Sequence, residues 1–82
     1  MKLSEAVAIR LKELCAAKDT TLYDISLQAG LPNSTLYNMA NGERSNPKLL
    51  NLKKACDALD ISVRDFFAAD YFSELESDID DD

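Results

Sequence analysis

All the outright helix breakers of this 82-residue chain, Gly30, Pro32, Gly42 and Pro47, fall in one stretch of its middle. Glycine spends backbone entropy in a helix interior, and proline lacks the N–H and clashes with the preceding turn, so each marks a place where a helix stops or starts. The chain is therefore divided into uninterrupted segments on either side and two short ones between. Apolar spacing says what those segments are. Val7, Leu11 and Leu14 recur four and three residues apart, with Arg10, Lys12 and Glu13 turned outward, and Ser4 stands where a cap belongs; this predicts a first helix over about 5–18. Thr21 followed by Asp24 resembles a capping box and opens a second, short helix that carries Leu22, Ile25 and Ala29 inward until Gly30 ends it.

Pro32 turns the chain and suits the start of a third helix, about 33–40. Leu36, Met39 and Ala40 make its apolar stripe. Asn33, Ser34, Tyr37 and Asn38 make the opposite face, which offers hydrogen-bonding groups and no charge. After a loop at 41–45, Asn46 and Pro47 supply a cap and a first-turn proline for a fourth helix, about 47–59, with Leu49, Leu52, Cys56 and Leu59 as its buried edge. Ser62 and Asp65 start a short fifth helix that buries Phe66, Phe67 or both. The expectation is an all-α, compact bundle of five short helices, with a domain over 1–69 and an acidic, flexible tail over 70–82.

Composition narrows the class. Apolar residues at 46% and charged residues at 29% suit a globular domain, and 82 residues is near the size at which one hydrophobic core suffices without disulfides or metal. The net charge of −6 misleads as an average: residues 1–64 hold nine basic and seven acidic residues, for +2, while 65–82 hold eight acidic and no basic ones, for −8. Like charges accumulate in that tail faster than apolar residues can bury them. No apolar run approaches a membrane span, so a cytoplasmic protein without membrane contact is expected. Cys15 and Cys56 stand far apart inside helical patterns and read as small reduced core residues; with no histidine in the chain, neither a metal site nor a cofactor is expected. Nor is an enzyme, since no Gly-rich phosphate loop and no nucleophile with a base nearby in sequence is present.

Two short helices joined by a tight glycine turn are the helix-turn-helix unit, and 21–40 has that shape. The run Thr21-Leu-Tyr-Asp-Ile-Ser-Leu-Gln-Ala-Gly30, then Leu31 to Gly42, then Asn46-Pro47 and Ala58-Leu-Asp-Ile-Ser62 resembles the Cro/XRE-type, lambda-repressor-like helix-turn-helix family of transcriptional regulators over about residues 4–68. The resemblance implies sequence-specific binding of double-stranded DNA, with the helix at 33–40 in the major groove. By position it assigns base reading to Asn33, Ser34, Tyr37 and Asn38, and phosphate contact to Thr21, Asn41, Arg44 and Lys48. The competing reading of these residues is ordinary solvated surface, helix capping at Thr21 and turn support at Asn41.

Three departures from the family pattern bear on this. Leu22 stands where many members place a phosphate-reaching Gln, which removes one anchor. Cys15 and Ala40 occupy the positions of a common Arg–Glu pair; both partners are absent together, so apolar packing is expected instead. Asp60 replaces a glycine after the fourth helix, and Asp tolerates the left-handed conformation better than most residues. Because relatives commonly bind as pairs, a homodimer is expected, with Phe66, Phe67, Tyr71, Phe72 and Leu75 as candidate contacts; these aromatics equally well close the core. The alternative function is a protein-binding adaptor on the same fold, antitoxin-like or anti-repressor, whose acidic tail grips a basic protein partner.

Overall fold

A computed structural model describes residues 1–42 and 46–79. Among these residues the chain forms helices only: α1 Leu3–Ala17, α2 Leu22–Ala29, α3 Asn33–Asn41, α4 Leu49–Ala58 and α5 Val63–Phe66, followed by a 3-10 turn at Asp70–Ser73. The core gathers Val7, Leu11, Leu14 and Cys15 from α1, Ile25 from α2, Leu36, Met39 and Ala40 from α3, Leu52, Ala55, Cys56 and Leu59 around α4, and Phe66 from α5. In packing, α3 lies against both α1 and α2, while α4 lies against α2 and α5. Cys15 and Ala40 are both in this core, so the α1–α3 seam is apolar where the resemblance put an ion pair. Burial pushes both cysteine thiols upward in pKa, which keeps them protonated and unreactive.

The two local caps follow the sequence. Thr21 Oγ1 accepts from the Asp24 N–H at 3.1 Å, and Ser62 Oγ from the Asp65 N–H at 3.0 Å. Two others do not. Ser4 lies inside α1, whose N-cap is Lys2, with the Glu5 carboxylate reaching back to the Lys2 N–H; the Ser4 hydroxyl instead donates to the Gly42 carbonyl at 3.0 Å. Neither Asn46 nor Pro47 starts α4, whose N-cap is Lys48 without a side-chain bond. Leu49 is accordingly not a buried edge: it opens the helix and is 75% exposed, because α2 reaches α4 along its later turns, where Gln28 and Ala29 lie beside Lys54, Asp57 and Ala58.

Three helices end in the same way. Past α1, α2 and α4 stand Asp19, Gly30 and Asp60 at φ of 51°, 69° and 57°, all left-handed. Each is followed by a residue whose N–H reaches back five positions: Thr20 to Cys15, Leu31 to Ser26 and Ile61 to Cys56, at 2.9, 3.0 and 3.0 Å. This closure satisfies carbonyls the helix would otherwise leave unpaired. Asp60 thus takes the glycine-like role expected of it, and Asp19 takes the same role unannounced.

Arg10 differs from expectation too. It is half-buried, not outward: its Nε donates to the Phe66 carbonyl at 2.7 Å and its Nη2 to the Asp65 carbonyl at 2.8 Å, so a cation sits on the C-terminal carbonyls of α5. Phe66 is wholly buried and is not a dimer contact. Phe67 meets it edge-on at 5.1 Å, and Phe72 meets Phe67 at 4.9 Å, so the aromatics close the bottom of the core.

Packing continues past Ala69. Phe72 lies against the core and the Tyr71 hydroxyl donates to the Glu13 carboxylate at 3.1 Å; partial burial, then that carboxylate, raises the Tyr71 pKa. Further on, the Glu76 N–H donates to the Met1 carbonyl at 3.0 Å, and the Glu76 carboxylate lies 3.0 Å from the Met1 ammonium, which holds its pKa below the usual range. The Lys2 ammonium bonds the Ser77 carbonyl and approaches Asp78 at 3.9 Å. The described part of the acidic segment therefore lies along the start of α1.

Candidate nucleic-acid interface

The angle between α2 and α3 is set by a turn with little freedom. Gly30 adopts its positive φ in open space, where an added Cβ would meet nothing within 4 Å, so glycine is required there by the backbone rather than by crowding. Leu31 then packs against the core and Pro32, with φ −57°, leads into α3. From there the 3.6-residue period decides which side chains face where. Leu36, Met39 and Ala40 are buried, whereas Asn33, Ser34, Tyr37 and Asn38 are all exposed, Tyr37 by 53%.

The base-reading candidates therefore share one outward face of a helix whose inner face is locked in the core. No residue of α3 is charged. What this face presents is two amides able to donate and accept in the same plane, one hydroxyl, and one aromatic ring with a polar tip. Such groups suit the edges of base pairs, where Asn matches adenine bidentately and a ring packs on the thymine methyl.

The phosphate candidates are more scattered. Thr21 is exposed at the N-terminus of α2; since its oxygen already accepts from Asp24, its own O–H remains to donate outward. Asn41 is the exposed last residue of α3, and Lys48 the exposed N-cap of α4. Arg44 lies outside the described residues. Leu22 is half-buried against the core, which explains how an apolar residue is accommodated where a polar anchor would otherwise stand. Sequence reasoning missed the tether that fixes the far end of α3: Gly42, at φ 79°, offers its carbonyl to Ser4, and its Cα hydrogen side lies where a Cβ would come within 3.5 Å of Ala8. A bond between positions 38 apart in sequence leaves no local signal.

Residues 10–70 match the family model of the Cro/C1-type HTH DNA-binding domain. The chain belongs to that family. The Cro/C1-type match spans the helix-turn-helix, the later turns of α1, and α4 and α5, so the polar face of α3 lies within the matched region. The same architecture recurs in the crystal structure of the prophage Lp1 protein 11, which is 34% identical, with a TM-score of 0.79 over 92% of this chain and 100% of that one. No curated protein matches the chain. As a Cro/C1-type domain it is a DNA-binding module of a non-enzymatic family with a regulator-like role. Among the described residues no helix is long and apolar enough to cross a membrane.

Proposed function

We propose that the chain is a sequence-specific, repressor-like transcriptional regulator that sets α3 into the major groove of duplex DNA. The observation that carries this reading is the uncharged outward face of Asn33, Ser34, Tyr37 and Asn38 on a helix fixed from behind by Leu36, Met39 and Ala40. In it Asn33 and Asn38 read adenine edges, Ser34 donates or accepts, and Tyr37 packs on a thymine methyl. Thr21, Asn41, Arg44 and Lys48 hold phosphates and set the register. The chain acts by occupying its site, with no covalent step. Two chains bind together, as a homodimer; with Phe66 inside the core and Phe67 and Phe72 engaged with it, the partly exposed Tyr71 and Leu75 are the side chains that meet the second copy.

Selection from a random duplex library, followed by titration against salt, tests the reading. Selected sites are expected to be near-palindromic, with half-sites one helical turn, about 34–36 Å, apart. Asn38→Ala is expected to lose about 1–3 kcal/mol of discrimination at one base position, whereas Lys48→Ala and Arg44→Ala weaken all duplexes alike and each lower the salt slope by about one. Recovery of no shared motif, or equal effects of all three changes on every duplex, overturns it.

A further inference from the structure

A groove of about 510 Å³ opens between the first turn of α1 and the first turn of α4. Leu3, Val7, Leu49, Leu52 and Phe67 supply its apolar walls, and Asp78 of the acidic segment stands at its edge. Its rim continues outward as apolar surface: Leu3 is 44%, Leu49 75% and Leu50 64% exposed. Consecutive exposed leucines at a helix start bring no benefit to the fold, and exposed apolar side chains beside an apolar groove suit a contact surface. A small polar ligand is poorly served, because polar lining is sparse: of Ser4, Asn46 and Asp78, Ser4 is engaged with Gly42 and Asp78 with Lys2. The charged side chain that lines the groove is acidic, Asp78, while the exposed Lys48 stands just outside the lining beside Leu49. Residues 74–82 hold six acidic residues and no basic one, and among the described ion pairs they meet only the Met1 ammonium and Lys2. The homodimer proposed above meets through Tyr71 and Leu75, which do not line this groove, and duplex phosphates would face the carboxylates of the segment. The described residues contain no strand, hence no sheet edge for an extended peptide to join.

We propose that this groove docks a short amphipathic helix of another protein, with leucine-like side chains seated between Leu3 and Leu49 and lysine or arginine on the flank that meets the acidic segment at Asp78. Anchors three and four residues apart on the partner match the two short helix turns that form the walls. The proposal concerns a surface separate from the polar face of α3 and stands whether or not that face reads bases.

Two labelled, leucine-striped peptides of about 15 residues, one with lysine and one with glutamate on the polar face, test it by fluorescence anisotropy against the full chain. The lysine peptide is expected to bind, and the glutamate peptide to bind at least about tenfold more weakly. Leu49→Asp, and independently Leu3→Asp on the facing wall, are each expected to cost at least about tenfold while the thermal midpoint stays unchanged. Equal binding of both peptides, no binding of either at about 100 μM, or undiminished binding to both aspartate variants overturns the proposal; in the last case the peptide merely decorates the acidic segment. Sedimentation showing a dimer that Leu49→Asp converts to monomer overturns it as well, by giving the groove to a second copy.

Discussion

Arg10, Gly30 and Asp60 are held by backbone geometry rather than by solvent, and each gives a measurable consequence. The Arg10 guanidinium carries two charge-assisted bonds to the end of α5. Arg10→Ala is expected to cost about 2 kcal/mol, since such bonds contribute roughly 1.5–3 kcal/mol each and the freed carbonyls regain some water. At about 4–8 °C per kcal/mol for a domain of this size, thermal unfolding reads that loss directly; an unchanged midpoint would show that the contact does not support α5. Gly30 and Asp60 occupy equivalent left-handed closures, so substitutions there move stability in opposite directions. Gly30→Ala is expected to lose about 1 kcal/mol through backbone strain alone, and Asp60→Gly to gain up to about 1 kcal/mol, both measured by urea unfolding.

Elements were legible where their signals are local. The caps at Thr21 and Ser62 involve residues three apart, and the stripe of α3 is a plain 3.6-residue pattern; both recur in the structure. The polar face of α3, the center of the candidate site, was therefore visible from spacing. Ser4 and Asn46 were misjudged as caps because a hydroxyl or amide goes to whichever partner the tertiary fold brings near, and for Ser4 that is Gly42. Leu49 carried the right period and the wrong burial, since periodicity says which side a residue faces and not whether a neighboring helix extends that far. Arg10 was missed for the same reason, its acceptors lying more than fifty positions away. The α1–α3 seam supports a prediction at this scale. Ala40 is 3% exposed, so Ala40→Glu alone buries an unpaired carboxylate and is expected to cost about 3–5 kcal/mol; adding Cys15→Arg recovers part of it, and a double-mutant cycle followed by chemical denaturation measures the coupling.

Over the whole molecule, charge is divided more sharply than structure. The chain is mildly cationic through Arg64 and strongly anionic beyond it, yet Phe72 of the anionic part belongs to the packed body. Removing residues 74–82 takes away six carboxylates and brings the formal charge from −6 to zero while leaving Phe72 in place. Affinity for random duplex is expected to rise severalfold at low salt and less at physiological salt, where fields fade over about 8–10 Å. Electrophoretic or anisotropy titration checks this, and equal affinity with and without the segment would remove any influence of it on DNA. One corner of the molecule joins these themes: the Ser4 hydroxyl fastens the end of α3 to the same opening turn of α1 that bears Leu3 and follows Lys2, which grips the acidic segment. A corner shared in this way links the groove to the end of α3, and any coupling between the two runs in both directions. Whatever factor an occupant of the groove imposes on the grip for a duplex, the duplex must impose on the occupant, so either ligand serves as a gauge of the other.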